Sequence, residues 1–177
     1  RIKQLAIPPA WTEVCIAEDQ WAHIQAVGRD AEGRLQYRYH PAWEQARSLT
    51  KADRLLRLGS ALPRLRDAVS KALSTPNLTR QKVVAAVVRL IDRALLRPGH
   101  DEYARTSGSR GASTLLKSDV VLEGDKVVLE FEGKSGKSIK REVKDRLLVR
   151  VLRQLFRLRG SRRLFRAPDD NGGRVRP

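Results

Sequence analysis

Methionine is missing from this chain and cysteine nearly so. The one cysteine, Cys15, excludes an internal disulfide and any cysteine-built zinc cluster. Its setting, Val14-Cys15-Ile16, predicts a small buried side chain. Histidine is scarce too: His23, His40 and His100 lack the paired spacing of a metal motif, so no metal and no other cofactor is expected. No apolar run approaches the ~20 residues that span a bilayer. No charged-then-apolar leader opens the chain, and a cytoplasmic, nucleoid location without membrane contact is expected. The chain starts at Arg1 and stops at Pro177 without a structural ending, and reads as a fragment cut at both ends.

Acidic residues are also in deficit. Twenty Asp and Glu face 36 Lys and Arg, for a formal net charge of +16 over 177 residues. Such a balance favours a polyanionic partner, of which nucleic acid is the foremost, although ribosomal, chromatin and RNA-binding proteins all reach this charge. A hydrophobic content of 41% is enough for a packed core and excludes a disordered tail.

The pattern changes along the chain. In the first 47 residues, Ile7-Pro-Pro-Ala-Trp11 is extended because each proline restrains itself and its predecessor. Strands are expected over 13–17, 23–27 and 34–39, the last entered through an Asp30-Ala-Glu-Gly33 turn. Alternation there puts Arg34, Gln36 and Arg38 on one side and Leu35, Tyr37 and Tyr39 on the other. From Thr50 the period is helical. Leu55, Leu58, Leu62, Leu65, Val69 and Ala72 share a face, with a kink or break at Gly59 and Pro63. A second helix, capped by Thr79, carries Val83, Val87, Ile91 and Leu95 on its stripe and ends at Pro98-Gly99. A short helix over 102–105 and a loop over 107–111 precede strands over 119–122, 126–132 and 138–143, joined by hairpin turns. Asp145 caps a last helix that buries Leu148, Val151, Leu152, Leu155 and Phe156. Residues 167–177 read as a polar connector. The fold class is therefore α+β: a small β-rich domain over 1–47, then a mainly helical lobe over 48–177 with an inserted three-stranded antiparallel sheet.

Several constellations carry chemistry, each with a plainer alternative. Arg97 at a helix end either complements the helix dipole or offers a planar fork to two phosphate oxygens. Lys134, in the turn Gly133-Lys134-Ser-Gly-Lys137, is either solvated or able to protonate a departing alkoxide, and Lys137 could do the same. Gln36 can read a base edge and a tyrosine hydroxyl can bond a phosphate, but Tyr37 and Tyr39 could equally be core residues of the sheet. Arg146, Arg150, Arg153 and Arg157 form a stripe that is either a solvated face or a grip on consecutive phosphates.

Taken in order, Ile7-Pro-Pro-Ala-Trp-Thr-Glu-Val14, Gly28-Arg-Asp-Ala-Glu-Gly-Arg-Leu-Gln-Tyr-Arg-Tyr39, Leu96-Arg97-Pro-Gly99 with Glu102-Tyr103, Gly111 and Thr114-Leu115, and Phe131-Glu-Gly-Lys134 resemble the small type IB DNA topoisomerases of bacteria and poxviruses. The resemblance covers residues 1 to about 160. It implies that Arg97 binds the scissile phosphate and Lys134 protonates the leaving 5′ oxygen. It also implies DNA contacts for Arg34, Gln36, Tyr37, Tyr39, Arg47 and Tyr103, in a two-lobed clamp on double-stranded DNA. Such enzymes relax supercoils through a 3′-phosphotyrosyl intermediate without ATP, metal or small-molecule cofactor, and a monomer is expected.

Departures from the family pattern are His100 and Asp101, an unusual Pro98, and Asp119 where a histidine is frequent, so that base preference is expected to differ. Tyr37, Tyr39 and Tyr103 each match a non-nucleophilic position. The chain is therefore expected to bind DNA without cleaving it. A tyrosine recombinase and a non-catalytic basic DNA- or RNA-binding protein are the alternatives, the first disfavoured by the Ile-Pro-Pro and Gln-Tyr-Arg-Tyr segments.

Overall fold

The computed structural model describes residues 1–166, so the connector reading of 167–177 lies outside the described residues. The architecture is α+β, and the chain divides into two compact units at Ala61 and Leu62. No helix among the described residues is long and apolar enough to cross a membrane.

The first unit holds an antiparallel sheet, β1 (Thr12–Ile16), β2 (Ile24–Arg29) and β3 (Leu35–Tyr39), in that spatial order. The expected Asp30–Gly33 turn joins β2 to β3. Gly33 adopts φ 74° and returns its N–H to the Asp30 carbonyl at 2.9 Å. Cys15 is exposed, against expectation. It lies on an edge strand whose register shifts between Thr12 and Cys15, where Glu13 takes a positive φ of 52°, so its apolar neighbours in sequence do not enclose it. The faces of β3 also differ from a core-directed tyrosine pattern. Leu35 and Tyr37 are exposed and Gln36 and Arg38 are half-buried.

The helix expected from Thr50 begins at Pro41 and runs unbroken to Ser74 (α1). Pro63 has no N–H to offer the carbonyl of Gly59 four residues back, yet both residues are exposed, so water can take that carbonyl and the helix continues. Its leucine stripe is real in spacing but mostly uncovered: Leu55, Leu58 and Leu65 are exposed, and only Val69 and Leu73 are buried.

In the second unit, α2 (Arg80–Ala94) and α4 (Arg146–Arg157) pack with a sheet of β4 (Val120–Glu123), β5 (Lys126–Glu132) and β6 (Ser138–Lys144). Strand alternation puts Val127, Leu129 and Phe131 inside while Glu130 and Glu132 stay out. Leu148, Val151, Leu152 and Leu155 of α4 meet Val83, Ala86 and Leu90 of α2 in the same core, with Phe156 half-buried beside them. Each full burial of such a leucine or valine is worth about 1.5–3 kcal/mol. Leu95, expected on the α2 stripe, is instead 84% exposed, because it is the C-cap residue in the left-handed region at φ 54°.

Polar groups tie the helices together within that core. Thr79 and Asp145 cap α2 and α4 as expected, accepting from the N–H groups of Lys82 and Leu148. Arg89, on α2, lies nearly buried with its Nε 3.3 Å from Asp145 Oδ2, and its Nη2 donates to Ser70 Oγ of α1 at 2.7 Å. Lys117 donates to the carbonyls of Phe156 and Leu158, ending α4. Because Asp145 both caps a helix and neutralises a buried guanidinium, Asp145→Ala is expected to destabilise the chain by about 3 kcal/mol or more. Urea unfolding measures this, and a loss under about 1 kcal/mol, the value of a cap alone, would remove the ion pair from the account.

Candidate active site

After α2 stops at Ala94, the left-handed Leu95 turns the chain and the buried Leu96 anchors it, so that Arg97 emerges from a fixed backbone. That backbone is held from the other side. Ala112 N–H donates to the Arg97 carbonyl at 2.8 Å, and Ser113 N–H to the Pro98 carbonyl at 2.7 Å. Gly99 takes φ 92°, and Gly111 lies so close that a Cβ there would fall 2.5 Å from Gly99 N and 2.7 Å from the Arg97 oxygen. Only a glycine permits this approach.

Lys134 occupies the loop between β5 and β6. The expected tight turn is a 3-10 turn over Lys134–Gly136, with Ser135 and Gly136 at positive φ and Gly133 N–H closing onto the Lys137 carbonyl at 2.8 Å. One further bond joins hairpin and loop: Arg110 N–H donates to the Glu132 carbonyl at 2.9 Å.

The result is one cavity of about 160 Å³ that Arg97 and Lys134 line together. Arg110, Lys137 and Arg141 line it as well, and no acidic side chain does. Among the described residues neither the Arg97 guanidinium nor the Lys134 amine has an ion-pair partner. Cations converging without counter-charge form a site that an anion completes, and a guanidinium fork with an ammonium beside it suits a phosphate. Among the described residues no cluster of His, Cys, Asp or Glu could hold a metal ion.

Sequence reasoning missed Arg110, hidden in a segment read as a loop, and Arg141 on β6. Arg110 approaches Asp119 with its Nε 2.8 Å from Oδ2, and Asp119 is 6% exposed and also accepts from Leu116 N–H. Asp119, expected to bear on base preference, is therefore enclosed by the chain itself. Of the other departures, Asp101 pairs with Arg163 at 2.8 Å and His100 Nδ1 accepts the Glu102 N–H.

The remaining expected DNA contacts fall into three places. On the open face of β3, Tyr37 and Tyr39 stack with centroids 6.0 Å apart, and the Arg47 guanidinium lies 5.6 Å over the Tyr39 ring. Arg34 and Gln36 are instead engaged by the turn. Arg34 Nε and Gln36 Nε2 both donate to Asp30 Oδ2 at 2.8 Å, and Arg34 also pairs with Glu32. The hydrogen bond from Arg34, helped by Gln36, holds the Asp30 carboxyl down to about 2. Because it takes up its proton at lower pH folded than unfolded, this link is present above about pH 4 and is lost as pH falls towards about 2. Tyr103 lies on α3 (Asp101–Thr106), 63% exposed against His100, and is not among the residues lining the cavity.

Residues 1–30 match the family model for the bacterial DNA topoisomerase IB N-terminal domain, and residues 40–166 match that for the eukaryotic DNA topoisomerase I catalytic core. The chain belongs to the type IB DNA topoisomerases. It is 33% identical over 174 residues to DNA topoisomerase 1B of Acanthamoeba polyphaga mimivirus, which covers 97% of this chain and 52% of that protein. It is 25% identical over 138 residues to DNA topoisomerase 1B of Vaccinia virus (strain Copenhagen), covering 75% of this chain and 44% of the relative. DNA topoisomerase I of Monkeypox virus matches with the same identity and coverage. The chain spans about half the length of these curated relatives.

The glycine contact behind Arg97 makes a direct prediction for this topoisomerase chain. Gly111→Ala must push the Arg97–Gly99 backbone aside, at a cost of about 1–3 kcal/mol. A thermal or urea melt that leaves Gly111→Ala as stable as the parent would contradict the packing.

Proposed function

We propose that the chain grips duplex DNA and presents Arg97 and Lys134 to a single phosphodiester, within a type IB topoisomerase reaction. The observation carrying this reading is the shared cavity, lined by both side chains and by no acid. In that reaction a tyrosine oxygen attacks the phosphorus, a 3′-phosphotyrosyl bond forms and the 5′ oxygen leaves. The duplex then swivels and the reverse attack reseals it. Arg97 would hold two non-bridging oxygens and stabilise the charge that grows on them. Lys134 would give its proton to the leaving 5′ oxygen, an alkoxide otherwise too basic to depart. No ATP, metal or other cofactor enters these steps.

Tyr37, Tyr39 and Arg47 form an open aromatic and cationic surface suited to backbone contact, with Tyr103 as a further exposed contact. Arg34 and Gln36 would have to exchange Asp30 for DNA. We propose a division of labour between a DNA-clamping piece over 1–47 and a catalytic portion from 48 onward, in a monomer acting on chromosomal DNA. Tyr103, the one tyrosine of the second unit, does not line the cavity, which supports the reading that this chain binds DNA and does not itself supply the nucleophile.

The test is plasmid relaxation by the whole gene product together with duplex binding by this chain. Lys134→Ala is expected to slow strand cleavage by about 100-fold or more while DNA binding persists. This chain is expected to bind duplex and leave no covalent adduct on a denaturing gel. Undiminished cleavage after Lys134→Ala, or a 3′-phosphotyrosyl adduct on this chain, would overturn the reading, and a purely architectural DNA-binding role would replace it if relaxation is absent.

A further inference from the structure

A second cationic cavity, of about 430 Å³, lies along α4. Arg146, Arg150, Arg153 and Arg157 form one wall, and Gly124 and Asp125 of the β4–β5 turn form the other. Arg153 is held in place by its Nη2, which donates to the Gly124 carbonyl at 2.8 Å. Arg146, Arg150 and Arg157 make no ion pair among the described residues, and Asp125 is already engaged by Lys144 at 3.8 Å. Lys82, 1% exposed with its Nζ donating to the Thr75 carbonyl at 2.5 Å, has its amine pushed below the ordinary lysine range by burial and by the Arg150 charge. All four arginines are exposed along one side of α4, so an anion in the groove can reach each of them.

The spacing selects the ligand. Residues 146 to 157 run about 16 Å along the helix axis. A duplex strand offers a phosphate about every 3.4 Å of its own axis, so the row can meet several in succession. The groove also has a definite place relative to the Arg97–Lys134 cavity. The β4–β5 turn leads into one end of β5 and the Lys134 loop follows the other, so seven strand residues, about 23 Å, separate the two sites. That is about seven base pairs of duplex.

We propose that the α4 groove is a second grip on the phosphate backbone of the same duplex, remote from the phosphate held by Arg97 and Lys134. The proposal rests on the DNA-binding reading above. It is tested with this chain by following affinity for a duplex of about 30 base pairs against salt, for the parent, for R150Q/R153Q/R157Q and for R150K/R153K/R157K. The glutamine variant is expected to flatten the log–log salt slope by about 3 and to bind at least tenfold more weakly near 0.15 M salt, with the lysine variant close to the parent. A duplex of about 12 base pairs is expected to bind once per chain. Equal slopes for parent and glutamine variant, or a lysine variant as impaired as the glutamine one, overturn the groove while leaving the catalytic reading intact. Two short duplexes per chain overturn the assignment to a single duplex. A parent chain that binds no duplex at all overturns both readings.

Discussion

The approach of Gly111 to the backbone of Arg97–Gly99 is the contact on which the rest of the site depends. It brings the segment after α2 against the segment before β4, and the two hydrogen bonds to the Arg97 and Pro98 carbonyls keep it there. The Arg110–Glu132 bond carries the same constraint into the β5–β6 hairpin. Three chain segments are thereby referenced to one another through backbone, and the long side chains of Arg97 and Lys134 project into one cavity from fixed bases. Preorganisation of this kind lowers the reorganisation needed when charge develops on a bound phosphate.

The acid deficit has a spatial counterpart. The enclosed carboxylates hold the scaffold: Asp145 beside Arg89 between helices, Asp119 beside Arg110 behind the cavity, and Asp92 on Arg66 between α1 and α2. The cations that face the two grooves are left largely without them. Net charge alone would attract any polyanion. The distribution matters more, because nine of the basic side chains line two concave surfaces that the backbone defines.

Much of the second unit was legible in the sequence because local rules and burial agree there. The caps Thr79 and Asp145, the alternation of Val127, Leu129 and Phe131, and the apolar face of α4 all follow from period and turn chemistry. Legibility failed where the outcome depended on partners. Leucine spacing along α1 describes a face but cannot say whether anything covers it, and Cys15 has apolar neighbours in sequence yet stands on an irregular edge strand. Leu95 continued the apolar period of α2 but fell one residue past the helix end. Arg97 and Lys134 were visible as members of a familiar pattern. Arg110 and Arg141 were not, since their place in the cavity comes from sheet register and from backbone bonds between segments that are not neighbours in sequence. Nor could spacing reveal that Asp30 occupies Arg34 and Gln36.

The central claim is that Arg97 and Lys134 act on one shared phosphate, and a double-mutant cycle on duplex affinity tests it most directly. Binding of this chain to a short duplex would be measured at fixed salt for the parent, Arg97→Ala, Lys134→Ala and the double variant. The shared cavity predicts a coupling energy of about 0.5 kcal/mol or more between the two substitutions. Strict additivity, within about 0.3 kcal/mol, would mean that the two cations meet different phosphates and would contradict the account.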